Sequence, residues 1–357
     1  MDFGMIANFI PDSFFAGFEQ DRASVLWLLA VGAIVLLSVG ADRLVTAAVR
    51  LAAVLGMSKV LIGATIVSLG TTSPELFTSV TAAFEGKPGL ALGNGIGSII
   101  CDSALIFGLA ACITRLPVDR RIQNRHGWLQ LLSGVLLTAI VVGLAISAWS
   151  IDGLVISRWV GLVLVGLLVC YLWVSVRWAR QFPDRIPNEA RAASAPASSP
   201  VVATVVNLLV LAVGLALVIL GSNLLVGSAS ALCHKYGVPE SVLAATLVAF
   251  GTSLPELVTA MASLIKGHSE LLIGNIIGAD ILNVLFVIGA SAAATPLKVD
   301  RTIVLLLLPV MMLVLILLRV FVMTSGKRMR RWHGAVLLAV YVAYCVVIVR
   351  FGVAVEG

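Results

Sequence analysis

The chain is 357 residues long, 60% hydrophobic and only 12% charged, whereas soluble domains carry about 25% charged residues. That balance excludes an ordinary soluble enzyme or a nucleic-acid module, and the formal net charge of +6 belongs to loops beside a membrane. Five cysteines and the histidines His126, His234, His268 and His333, expected in loops, show no paired or metal-ligand spacing, so neither a disulfide framework nor a metal centre is expected.

Residues 1–22 are acidic and lack the charged start and cleavage site of a signal peptide, so the next segment reads as an uncleaved anchor. Apolar runs near 24–48, 58–84, 89–113, 127–148 and 154–177 are long enough to cross a hydrocarbon layer of about 30 Å. Residues 180–200 hold Pro183, Pro187, Pro196 and Pro200 among Ala and Ser, the composition of a flexible linker. Five further runs follow near 202–230, 240–265, 269–294, 302–323 and 333–352. Runs such as Gly161 to Cys170 do not alternate in polarity, which argues against a β-barrel. The expected fold is all-α: a polytopic membrane protein of ten transmembrane helices, divided into halves 1–179 and 201–357 by the linker 180–200.

Loop charge sets the orientation. One alternate set of loops carries Arg50 and Lys59, then Arg115, Arg120, Arg121 and Arg125, then Arg177, Arg180, Arg185 and Arg191, and finally Lys327, Arg328, Arg330 and Arg331. The other set is mixed: Glu85 with Lys87, Asp152 with Arg158, Lys235 with Glu240, Lys298 with Arg301. Basic loops stay cytoplasmic, so the linker is expected inside and both termini outside. Five spans per half is an odd number, so the second half enters from the opposite face and the two five-helix repeats are inverted.

Two of the acids inside the apolar runs end copies of one phrase. Glu75 ends Gly70-Thr71-Thr72-Ser73-Pro74-Glu75, and Glu256 ends Gly251-Thr252-Ser253-Leu254-Pro255-Glu256, 181 positions later (256 − 75). At the same offset, Gly93-Asn94-Gly95-Ile96-Gly97 recurs as Gly274-Asn275-Ile276-Ile277-Gly278, and Val118-Asp119 as Val299-Asp300. An intramembrane acid is costly and marks a functional site by default. Pro74 and Pro255 withhold an N–H and free the carbonyl four residues back, which a membrane tolerates only where that backbone lines a cavity or is satisfied by protein. Each phrase thus offers carbonyls, hydroxyls and one carboxylate at similar depth, the oxygen donors that Ca²⁺ takes. The competing reading is a kinked helix with a structural Glu paired to a base. No Arg or Lys lies in the middle of either span, which argues against it. On the following runs, Ser98 and Asp102 share a helix face, and their counterparts are Ala279 and Asn283, with an extra acid at Asp280. Of the cysteines, only Cys101, beside Asp102, falls near this set.

Gly-Thr-(Thr/Ser)-x-Pro-Glu followed by Gly-Asn-x-x-Gly-(Ser/Ala), present twice, resembles the α-repeats of the Ca²⁺/cation antiporter superfamily, above all its prokaryotic sodium/calcium exchangers. The resemblance implies inverted repeats whose second, third, seventh and eighth helices enclose a central Ca²⁺ site flanked by Na⁺ sites. It also implies that the first and sixth helices slide across that core. By motif position Glu75 and Glu256 are the shared carboxylates. Thr71, Thr72, Thr252 and Ser253 are hydroxyl or carbonyl ligands, as are Ser98, Asp102 and Asn283; Asp280 joins them as the added acid. Relatives often read Gly-Ser-Asn-x-x-Asn/Asp, whereas this chain has Ile99 for Asn in the first copy, and Ala279 and Asp280 for Ser and Asn in the second. The implied activity is Ca²⁺/Na⁺ antiport in a plasma (inner) membrane, with membrane lipid around it, no cofactor and no nucleic-acid partner. Dependence on K⁺, ion stoichiometry and oligomeric state stay open. A proton-coupled antiporter of the same superfamily is the nearest alternative, although such relatives carry a Glu where Gly97 and Gly278 stand. A channel fits inverted repeats less well, and no nucleophile elbow or phosphate loop speaks for an enzyme.

Overall fold

A computed structural model describes residues 23–118, 120–181, 199–235 and 251–355. The linker residues 182–198, the N-terminal 22, Asp119 of the repeated Val-Asp pair and the first part of the span expected at 240–265 lie outside the described residues. The chain is helical almost throughout because bilayer hydrocarbon offers backbone groups no partner but one another. In order come α1 (Ala23–Leu55), α2 (Lys59–Thr71), α3 (Ser73–Phe84), α4 (Pro88–Ile113), α5 (Arg120–Ala148) and α6 (Arg158–Gln181). Then follow α7 (Pro200–Lys235), α8 (Leu254–Ile265), α9 (Ser269–Ala294), α10 (Ile303–Thr324) and α11 (Arg331–Val355). Among the described residues eight helices are long and apolar enough to cross a membrane, and α2 with α3, bent by 43°, makes a ninth.

The repeat seen in the sequence recurs in the element boundaries. The ends of α3 and α8, and those of α4 and α9, all differ by the same 181 positions (254 − 73, 294 − 113). These helices form the centre: the apolar window of α9 is 94% buried and that of α4 72%, against 33% for α1 and 22% for α7. Glycines let the central backbones touch. A side chain at Gly63 of α2 would stand 2.5 Å from the Leu271 carbonyl of α9, and one at Gly278 would stand 2.6 Å from Ala64 Cα. The outer pair is held together the same way, Gly40 of α1 against Gly214 of α7, where a Cβ on Gly40 would meet the Gly214 carbonyl at 2.8 Å. Small residues at helix contacts are the usual means of close approach in lipid.

The loops associate by charge set. The mixed loops meet through a two-stranded antiparallel ribbon, β1 (Val155–Ile156) with β2 (Leu297–Lys298). An exposed Asp152–Arg301 ion pair joins them, and Arg301 holds the Asp152 carboxyl below its ordinary value. Two basic loops meet at the Pro117–Arg328 bridge. Lys59 contacts His268 at 3.2 Å, and Lys266 pairs with Asp42 of α1 at 2.6 Å. His126 and His333, expected in loops, are instead buried on α5 and α11. Both helices continue past the apolar run because backbone hydrogen bonding does not stop where hydropathy does, and His126 finds edge contacts with Tyr171 and Trp178.

Candidate ion-binding site

Pro74 and Pro255 decide where the polar groups go. Each falls at the start of a helix, α3 and α8, where a missing N–H costs no intrahelical bond. Thr72 closes α2 with φ −81° and ψ 0°, and the Ser73 hydroxyl donates to the Leu69 carbonyl at 2.8 Å. Glu75 and Glu256 consequently lie in the first turns of α3 and α8, the positive ends of those helices. Both are buried, at 1% exposure. Neither oxygen of Glu75 has a hydrogen-bond partner, nor has Oε2 of Glu256, while Oε1 of Glu256 accepts from Thr72 Oγ1 at 3.4 Å. Buried carboxylate oxygens without donors are rare and call for an ion or a proton.

The surrounding contacts are exchanged between the halves. Thr252 Oγ1 donates to Asn94 Oδ1 at 3.2 Å, and Thr71 Oγ1 donates to Asn275 Oδ1 at 3.4 Å. Thr252 and Asn275 are the 181-offset counterparts of Thr71 and Asn94, so this is one contact made twice, as two copies about a two-fold axis make it. Asn94 also donates to the Glu75 carbonyl at 3.2 Å and to Ser79 Oγ at 2.9 Å, fastening α4 to α3.

Three helices widen to π-helical turns beside these groups: Gly63–Val67 in α2, Cys101–Ile106 in α4 and Asn283–Ile288 in α9. Such turns occur frequently at functional sites. Asp102 lies within the second and Asn283 opens the third. Tyr171 of α6 donates to the Ala64 carbonyl in the first, at 3.0 Å.

All ten residues expected at the site are buried. Unpartnered among them are Ser98 Oγ, both Asp102 oxygens, Ser253 Oγ and Asn283 Oδ1. The charges of Glu75 and Asp102, Glu75 and Glu256, and Asp102 with Glu256 and Asp280 all act on one another. Asp280 differs from the rest: its Oδ2 accepts from Ser103 Oγ and from Gln130 Nε2, the latter at 2.6 Å, and only Oδ1 stands unpartnered. Cys101 is buried and receives a long contact from the Tyr341 hydroxyl at 4.0 Å. Ser103, Gln130 and Tyr171 escaped the sequence reading because none belongs to a repeated phrase. The signal for Gln130 was a lone amide in the apolar run 127–148. Among the described residues no three His, Cys, Asp or Glu side chains converge tightly enough to hold a metal by themselves. A cation here would complete its shell with hydroxyl, amide and carbonyl oxygens, the donor set of a hard ion.

The family model described as sodium/calcium exchanger protein matches residues 25–177 and 206–350. This chain belongs to the sodium/calcium exchanger family. The sodium/calcium exchanger MaX1 of Methanosarcina acetivorans is 27% identical over 91% of this chain and 99% of its own length. The inner membrane protein YrbG of Escherichia coli is 35% identical over 76% of this chain and 81% of its own. Among solved structures, the sodium-calcium exchanger NCX_Mj soaked with Na⁺ and Sr²⁺ superimposes with a TM-score of 0.75 at 29% identity, covering 90% of this chain and 98% of that one. As an exchanger-family member the chain is a multi-pass membrane cation antiporter, not an enzyme.

Proposed function

We propose that this exchanger carries Ca²⁺ against Na⁺ across a plasma membrane by alternating access at the paired carboxylates Glu75 and Glu256. The observation that carries the proposal is the pair itself: two buried acids at the starts of two corresponding helices, flanked by exchanged Thr–Asn contacts, with three of four oxygens lacking donors. Two carboxylates balance one divalent charge. Thr71, Thr72, Thr252 and Ser253 supply hydroxyl or carbonyl oxygens from the same two breaks. Ser98, Asp102 and Asn283 complete the wall from α4 and α9, while Asp280, with one unpartnered oxygen, borders it on the flank. When Ca²⁺ leaves, the same acids with the flanking hydroxyls take Na⁺.

Sodium coupling draws support from Gly278. A Cβ there would stand 2.6 Å from both Ala64 Cα and Ser68 Oγ, so the helix contact excludes the Glu that proton-coupled relatives place at that position. The tight α1–α7 pair supports a unit that moves as one body across the centre. The basic-loop set supports a cytoplasmic linker and extracytoplasmic termini.

The test is Ca²⁺ uptake into proteoliposomes under an imposed Na⁺ gradient, then a pH gradient, then added K⁺. Uptake that requires the Na⁺ gradient is expected. Uptake that follows pH and ignores Na⁺ would move the chain to the proton-coupled branch.

A further inference from the structure

Most of the central polar groups come in repeat-related pairs: Glu75 with Glu256, Thr71 with Thr252, Asn94 with Asn275, Asp102 with Asn283. One cluster does not. Asp280 Oδ2 accepts from Ser103 Oγ of α4 and from Gln130 Nε2 of α5, and Gln130 also donates to Ser103 Oγ at 3.2 Å. The positions 181 residues away are Ile99, Val284 and Met311, and all three are fully buried hydrophobics. The same three places are therefore a polar triad in one copy and oily packing in the other. A polar triad buried at 5% exposure or less is costly to keep without a use.

The geometry of the triad limits that use. Both protein donors converge on Oδ2, so the carboxylate is already partly solvated on that side. Oδ1 is left buried without a partner, beside Asp102, whose two oxygens are also unpartnered and whose charge Asp280 acts on. Arg319 lines a small cavity with Gln130 and sits over the Trp128 ring at 4.2 Å. A carboxylate whose other oxygen already holds two donors keeps its charge but offers a single oxygen, which suits an ion of charge one better than a divalent ion that gathers many oxygen ligands.

We propose that Asp280 is the ligand of one monovalent coupling cation, present in one half only, and that Gln130 and Ser103 are positioning residues that turn its Oδ1 toward that ion. This inference rests on the antiport reading above but not on which monovalent ion is coupled. It assigns the Ca²⁺ site and this flank to different side chains, so the two ions respond to different substitutions.

The test uses the full chain in proteoliposomes, titrated with Ca²⁺ and with whichever of Na⁺ or H⁺ drives the wild type. Gln130→Met, which installs the residue found at position 311, removes one donor to a charged acceptor and should raise the half-activating coupling-ion concentration about tenfold. Half-saturation by Ca²⁺ should stay within about twofold. Ser103→Ala, small enough for any packing, should shift the same parameter in the same direction. In an Asp280→Asn background Gln130→Met should have no further effect on coupling-ion activation. Equal shifts for both ions, or the same Gln130→Met shift with Asp280→Asn present, would overturn the proposal. A wild type that ignores Na⁺ would instead count against sodium coupling alone, because the variants are then read with H⁺.

Discussion

The first and second copies of the Gly-Thr-x-x-Pro-Glu phrase occupy matching places but unlike surroundings. Glu75 and Glu256 are equally buried at matching helix starts, yet Glu256 receives the Thr72 hydroxyl whereas Glu75 receives no donor. Along the neighbouring helices Asp102 stands where the second copy has Asn283. At the far end of each phrase helix, Glu85 pairs with Lys87 in its own loop, while its counterpart Lys266 reaches α1 at Asp42 and Thr46. What is identical in both copies is what must meet across the middle of the molecule. What differs is charge, the property on which the proposed choice of ions rests.

Breaking the identical part should have the largest effect. Glu75→Gln and Glu256→Gln should each reduce Ca²⁺ exchange more than about 100-fold, since unbalancing a buried charge set costs about 3–5 kcal/mol. Both proteins should still fold, a neutral amide being easier to bury than a carboxylate. Radioactive Ca²⁺ flux measures this, and a wild-type rate in either variant would make the repeated acids structural. Next come the amides. Asn94→Ala should slow exchange by about tenfold, from the loss of hydrogen bonds worth about 1 kcal/mol each, and Asn275→Ala by less. Asn94 alone also holds the Glu75 carbonyl and Ser79; equal effects would remove that distinction.

Sharpening the difference between copies should act more gently. Asp102→Asn makes the first copy match the second at this position and keeps an oxygen donor. Calorimetric Ca²⁺ affinity should weaken severalfold without being lost, with the charge moved per cycle altered. Loss of all Ca²⁺ binding would place Asp102 on a level with the glutamates. Smallest of all is Lys266→Met. Its partner Asp42 is 57% exposed, and exposed pairs contribute little, so turnover should change less than about threefold and the change should fade in high salt.

Much of this was legible in the chain because membranes restrict the options. The break before Pro74, the helix start at Pro255, the burial of both acids and the matching ends of α3 with α8 and α4 with α9 follow from proline chemistry and one constant offset. The π-helical turns were not legible: the polar residues Asp102 and Asn283 mark Cys101–Ile106 and Asn283–Ile288 as site segments, but nothing in their residue pattern specifies a widened turn. Nor was the engagement of Asp280 legible, since Gln130 approaches it from a helix 150 residues away in sequence that carries no repeated phrase.

The length of α1 and α7 has a consequence of its own. At 33 and 36 residues they measure about 50 and 54 Å, well beyond a hydrocarbon layer of about 30 Å. They are among the outward-facing helices and are bound to each other through Gly40 and Gly214. Excess length of this kind is accommodated by tilt or by local thickening of the bilayer. The thickness of the surrounding lipid therefore presses on this outer pair and on the angle at which it lies across the proposed ion site, making acyl-chain length a variable in the energetics of exchange.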